Sequence, residues 1–265
     1  MLTGWIIMKF NTYLDNKKSL KLIHDTSIRE VILEHKTLSR MGRLDTKSML
    51  SLTDTALNSG FSPVLQWDIL CTESNFENCI KLLENLPLSK FAAIRVQDIG
   101  AAEWVRNELP EIPIHFIAET GNHNLTGLLR WHKYFGHQLQ RFALSSELPI
   151  STLINYCRSL TVPCEILAVG KILLFYTPRK LLSNFENSKN SFEFMEKILV
   201  PSDQQQRQFR TMQNQHGTFM YHHKDLFLLD FIPELQKVNL KVLRLDFRNI
   251  EILSLIHISE PTRPY

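Results

Sequence analysis

The chain of 265 residues is 44% hydrophobic and 22% charged, the composition of an ordinary globular protein with room for one (βα)8 barrel or two small domains. A formal net charge of +3 is too weak to identify a nucleic-acid partner, although it permits one. Four cysteines, Cys71, Cys79, Cys157 and Cys164, form no CxxC pair and no metal-ligand spacing, so reduced, mostly buried thiols are expected.

The apolar patch in MLTGWIIMKF is far too short to cross a bilayer, and it lacks the charged start and cleavage site of a signal peptide. A cytoplasmic protein with no membrane association is expected, with Met8 a second candidate start. A first strand is read at residues 9–14, a short helix at 16–24 and a second strand at 30–34, ending at Glu34-His35. Asp45-Thr46 caps a helix running to Asn58, and Gly60 closes it. A third strand, 62–68, ends in Gln66 and Asp68; Ser74 with Glu77 reads as a capping box for the helix to Asn85.

Residues 91–124 form a strand–helix–strand unit. Apolar runs at 91–96 and 114–118 suit strands buried on both faces, as in a parallel sheet. Each ends in massed polar residues, Gln97-Asp98 and Glu119-Thr120-Gly121-Asn122-His123. A helix at 125–135, a sixth strand at 141–144, a helix from about 150 to 160 and a seventh strand at 164–169, ending at Gly170, continue the rhythm. Residues 171–215 break it and read as an excursion, partly loop and partly irregular strand, over one end of the sheet. A helix at 231–238 and a strand at 241–246 restore it.

Eight strands with helices between most of them point to an α/β fold, a (βα)8 TIM-type barrel. No phosphate-binding glycine motif favours an open nucleotide-binding sheet instead. Residues 253–265, LSLIHISEPTRPY, continue no periodicity and look like a translated sequencing adaptor. The expected organisation is one barrel domain over 1–252, truncated before its last helix, followed by an artefactual tail.

The strand ends collect Glu34, His35, Gln66, Asp68, Gln97, Asp98, Glu119, His123, Glu147, Asp246 and Arg248. Converging carboxylates and histidines can bind a metal or move protons, but such residues also cap helices, Asp98 and Glu147 in particular. His216 with His222-His223 is a poor metal set, because adjacent strand residues point to opposite faces. No GxSxG elbow is present and no cysteine sits beside a recognisable base.

IRVQDIG, RFALSSELPISTL, CEILAVGKILLFYTPRKLLS, HGTFMYHHKDLFLLDFIPEL and LKVLRLDFR occur in this order over residues 91–248. Together they resemble the collagenase-like U-32 peptidase family. The resemblance implies a barrel, and an activity among proteases or bacterial factors that hydroxylate RNA bases or ubiquinone precursors. Where the family reads HGxLCxxYSGRCLLS, this chain has Val169 at the histidine position and Leu173 and Lys180 at the cysteine positions. No cysteine follows Cys164, so a four-iron, four-sulfur cluster is not expected to bind in the family's way, and no cofactor is expected.

Tyr176, Arg179, His216, Gly217 and Asp225 match the family. Asp246 and Arg248 remain in its closing motif, where Phe247 replaces a glycine and would narrow a pocket. The expected pocket comprises Glu119, His123, Tyr176, Arg179, His216, Asp246 and Arg248, with the arginines holding an anionic group of RNA, a small aromatic acid or a peptide. Loss of the cluster ligands also fits a non-catalytic partner of a cluster-bearing homologue. Bases and aromatics within 171–210, among them Lys171, Arg179, Lys180, Lys189, Lys197, Arg207, Arg210, Phe175, Tyr176 and Phe185, suggest RNA contact, diluted by acids.

Overall fold

A computed structural model describes residues 8–119, 124–184 and 197–248. Its strands are β1 (Lys9–Leu14), β2 (Ile28–Glu34), β3 (Ser62–Trp67), β4 (Ile94–Val96), β5 (Ile114–Ala118), β6 (Leu139–Leu144), β7 (Cys164–Thr177), β8 (Lys197–Leu199), β9 (Thr211–Asn214), β10 (Gly217–Phe227) and β11 (Leu240–Leu245). The helices are α1 (Lys17–Ile23), α2 (Thr46–Asn58), α3 (Glu73–Glu84), α4 (Ile99–Glu108), α5 (Leu125–Phe135), α6 (Ile150–Ser159) and α7 (Ile232–Leu235). Strands β1 to β7 run parallel in order, and β11 pairs with both β7 and β1. The sheet therefore closes into an eight-stranded parallel barrel, the (βα)8 architecture. The eighth helix position, after Arg248, lies outside the described residues, as does the tail.

Short polar side chains start the helices. Asn16, Asp45, Asp98 and Asn124 each accept a backbone N–H three residues on, which satisfies a donor the first turn leaves open. Helix α3 starts earlier than the Ser74–Glu77 pattern suggests: Thr72 is its N-cap, and the Thr72 N–H donates to Asn75 Oδ1 at 2.8 Å. Outward-facing strand residues build the apolar layer under the helices. Trp67 packs on Phe76 and Trp104, and Phe116 on Trp131 and Phe135. Burying each such ring contributes on the order of 2–3 kcal/mol.

The seventh strand does not stop at Gly170. It runs on to Thr177, leaves the barrel, and pairs antiparallel with β10, which pairs with β9 and then β8. The excursion is thus an antiparallel extension of the barrel sheet. Gly170 sits at the departure point with φ +148°, and a Cβ there would lie 3.0 Å from both the Cβ and the carbonyl oxygen of Asp246. Only glycine tolerates that backbone and that approach.

Inside the barrel the packing is ionic. Interior layers of such barrels are usually branched apolar side chains, but here charged and polar side chains meet across the interior, between neighbouring and non-neighbouring strands alike. Arg95 on β4 reaches Glu165 on β7 at 2.7 Å, both fully buried. Arg141 on β6 pairs with Glu30 on β2 and Glu165. Arg244 on β11 reaches Glu165 at 3.4 Å, and Asn11 on β1 donates to it at 2.9 Å. His115 is buried among these groups, and burial, then repulsion from Arg141, pulls its pKa down to about 3.

Removing one partner of a buried pair strands the others. Glu165→Gln is expected to cost about 3–5 kcal/mol of folding stability by urea denaturation; a loss below about 1 kcal/mol would show that the arginines re-pair. His115 stays neutral when folded and gains a proton when unfolded below pH ~6.5, so stability falls as pH drops from there toward 3. His35, lowered to about 4 by burial, acts with the same sign. His115→Gln should therefore shrink, without abolishing, the pH slope of the unfolding midpoint in that window; an unchanged slope would refute the assignment.

Candidate functional site

At the carboxyl end of the barrel strands lies a small cavity of about 30 Å³ lined by Tyr13, Arg40, Asp68, Glu119, Arg244, Asp246 and Arg248, with Lys171, Leu173 and Tyr221 of the extension closing it above. That is room for about two waters or one carboxylate head. Glu119, one residue beyond β5, is clamped between two guanidiniums: Arg244 Nη2 donates to Oε1 at 2.6 Å and Arg40 Nη2 to Oε2 at 3.4 Å. Burial raises the Glu119 carboxyl, but Arg244 and Arg40 outweigh it and hold its pKa below the ordinary value.

Arg40 stands on the β2–α2 loop and is almost wholly fixed by Asp68. Its backbone N–H donates to Asp68 Oδ1, and Nε and Nη2 both reach Oδ2, each contact at 2.9 Å. Arg40 holds Asp68 down to about 2 against the effect of burial. Two N–H groups of this cluster, Arg40 Nη1 and Arg244 Nε, are buried without a protein partner. Buried donors are nearly always satisfied in folded proteins, so such a pair marks a place for an acceptor. Arg40 is 8% and Arg244 4% exposed, hence neither finds that acceptor in bulk solvent.

Asp246 and Arg248 do line the cavity. Arg248 Nε and Nη2 grip the two Asp246 oxygens at 2.9 and 2.8 Å, Nη1 pairs with Glu34, and the guanidinium lies 3.2 Å from the Tyr13 ring centroid. Tyr13, Met41 and Arg248 also line a second, larger cavity of about 840 Å³, whose wall includes Phe10, Leu14, Leu22, Ile23, Leu44, Leu245 and Phe247 together with Glu34. Phe247 therefore narrows this apolar cavity and not the mouth.

The other expected residues lie elsewhere. Arg179 is exposed, bonds through its backbone, and does not line the cavity. His123 lies outside the described residues. Tyr176 and His216 stand behind the site. The Tyr176 hydroxyl accepts from Leu70 N–H at 3.2 Å and donates to the His216 carbonyl at 3.0 Å. His216 Nε2 bonds the Lys36 carbonyl at 2.7 Å, and Asn214 Nδ2 donates to the Arg40 carbonyl at 2.7 Å. The β9–β10 turn thus pins the loop that carries Arg40. Burial pushes Tyr176 up to about 12, so it remains a hydroxyl donor at neutral pH.

Sequence reasoning missed Arg40, Arg244 and Tyr13. Arg244 had a signal: it falls two residues before Asp246, on the same face of the last strand. Arg40 had none, because only tertiary contacts bring its loop to Asp68. Asp98 caps α4 and accepts the Cys71 N–H, which is the structural role foreseen for it. His222 and His223 pack on Phe209, apart from His216 and its Lys36 contact. Lys171 is held by Asp225 and Arg207 by Asp203, which reduces the basic surface of the extension.

All four cysteines are free thiols. Cys71 touches Cys79 beside β3, and Cys157 touches Cys164 at the start of β7. Strands β3 and β7 face each other across the closed barrel, so the four thiols do not converge and do not fit an iron–sulfur cluster. No helix among the described residues is long and apolar enough to cross a membrane.

A sequence profile for peptidase family U32 matches residues 16–260. That span includes part of the stretch set aside as adaptor-like, which lies outside the described residues. No curated protein matches the chain. Among solved structures, one described as the U32 peptidase Mk0906 is 13% identical with TM-score 0.47, covering 68% of this chain and 74% of that one. A thermostable mutant of a xylanase (Xyn10A) from Cellvibrio japonicus is 8% identical with TM-score 0.39, covering 70% and 73%. Likeness at this level says nothing of activity.

Tyr176→Phe removes the hydroxyl joining Leu70 to His216. It should cost about 1–3 kcal/mol through the stranded Leu70 N–H, and amide exchange across residues 36–42 should quicken. Unchanged exchange in that loop would show that Tyr176 does not position it.

Proposed function

The chain belongs to peptidase family U32, and from that premise we propose that it is a cluster-free hydrolase of the family's peptidase type whose barrel mouth holds a carboxylate of a peptide-like substrate. The observation that carries this reading is the pair of buried, unpartnered donors, Arg40 Nη1 and Arg244 Nε, beside a cavity the size of one carboxylate head. Guanidiniums suit that role because they stay charged and offer donors in a fixed plane. Of the residues expected from sequence, Glu119 orients both guanidiniums, Asp246 and Arg248 form an adjoining part of the cavity wall, and Tyr176 and His216 hold the loop that carries Arg40.

A second reading has its own support. The extension leaves only about 30 Å³ at the mouth, which suits a non-catalytic subunit of a cluster-bearing homologue. RNA contact through the extension has weaker support, since Lys171 and Arg207 are already paired.

Calorimetric titration with an N-acetylated dipeptide and with its C-terminal amide separates the readings. The free carboxylate should bind about tenfold or more tightly than the amide, and Arg40→Lys, which keeps the charge and loses Nη1, should erase the difference. Equal affinity for both ligands would sink the carboxylate reading. Co-purification of a cluster-bearing homologue in near-equal amount would then favour the subunit.

A further inference from the structure

Ser39, on the same loop as Arg40, lies between two carboxylates. Its Oγ is 2.5 Å from Glu34 Oε1 and 2.8 Å from Asp68 Oδ1, and all three side chains are buried. A serine hydroxyl has one proton, so it can donate to one of the two oxygens only. With both carboxylates ionised, the other contact would set two lone pairs against each other at hydrogen-bond distance. One added proton turns both contacts into hydrogen bonds.

The surroundings decide which carboxyl carries it. Asp68 is surrounded by donors: the Arg40 N–H, Nε and Nη2, and Gln66 Nε2 at 3.1 Å. Among the described residues Glu34 has Arg248 Nη1 alone on its other oxygen, and that guanidinium already serves both oxygens of Asp246. Tyr13, beside Arg248 on the shared wall of the two cavities, brings no positive charge. The charge count agrees. Among the described residues the ion-paired groups of the barrel interior and mouth include six carboxyls, Glu30, Glu34, Asp68, Glu119, Glu165 and Asp246, against five guanidiniums, Arg40, Arg95, Arg141, Arg244 and Arg248. Lys171 is committed to Asp225. One carboxyl is left in excess, in a space where an unpaired charge is costly.

We propose that Glu34 is a protonated carboxylic acid at neutral pH, joined through Ser39 to ionised Asp68 as a one-proton dyad that runs from the larger cavity, which Glu34 lines, to the mouth cavity, which Asp68 lines. Burial first, and the Asp68 charge after Arg248, bear on the Glu34 carboxyl, and its pKa lies above the ordinary value. The dyad adjoins the unpartnered donor: Arg40, which clamps Asp68, is the residue with the unpartnered Nη1.

The protonation state is tested apart from any substrate. In the infrared spectrum of the folded chain at pH 7, a C=O band of a protonated carboxyl, shifted in heavy water, is expected and should vanish in Glu34→Gln. In wild-type protein labelled with ¹³C at the glutamate carboxyl, one resonance should keep its protonated position at pH 7, a reading that needs no variant. A spectrum with every glutamate at the ionised position would overturn the proposal, as would a band untouched by Glu34→Gln. Should the dipeptide carboxylate fail to bind while the protonated carboxyl is present, the hydrolase reading falls and the dyad stands.

Discussion

The barrel is tied together at the carboxylate of Glu165. Arginines from β4, β6 and β11 and an asparagine from β1 converge on its two oxygens, so a single side chain on β7 joins five of the eight staves. Ion pairs buried this deeply are poor sources of net stability compared with well-packed apolar residues. Their distances and directions are exacting, however, and a slip of one residue in any of these strands would turn its charged side chain out into the apolar layer under the helices. The apolar rings outside the strands contribute the energy; the charges inside select the register.

From Glu165 the pairing climbs to the mouth without a break. Arg244 links Glu165 to Glu119, Arg40 links Glu119 to Asp68, Ser39 links Asp68 to Glu34, and Arg248 links Glu34 to Asp246. Each guanidinium that lines the mouth cavity, of Arg40, Arg244 and Arg248, is therefore oriented by a carboxylate. Groups fixed in this way need little rearrangement when an anion arrives, and in a water-poor site their fields are weakly screened. The family-matched Tyr176 and His216 belong to the outer shell of the same device. They hold a loop whose side chains the pairing uses.

Most of the scaffold was legible in the sequence. Strands buried on both faces read as apolar runs, and the polar residues after them marked the chemical end of the barrel. Gly170 misled because a glycine after an apolar run resembles a terminator, whereas here it lets one strand leave the barrel and continue. The site was legible in part. Glu119, Asp246 and Arg248 stood at strand ends, where such residues are sought. Arg95, Arg141, Glu165 and Arg244 stood inside strands and passed as isolated charges, although two-residue periodicity puts them on the inner face. Arg40 and Ser39 had no local pattern, since a loop's destination depends on contacts distant in sequence.

The extension leaves and rejoins the barrel at adjacent points. Gly170 pairs with Leu226 and Val169 with Phe227, and the Leu228 N–H returns to the Ala168 carbonyl at 2.8 Å. Neighbouring strands lie ~5 Å apart, so more than fifty residues of chain begin and end at nearly the same place. The hydrogen bonds that close the barrel, β7 to β11 and β11 to β1, lie outside that detour. The extension, a cap over the mouth, and the closing seam of the barrel are in this sense separate parts of one sheet. Insertions, deletions and drift in the cap can remodel what reaches the mouth while the closing seam of the barrel is left alone, and a fold wired in this way can change its clientele without relearning how to fold.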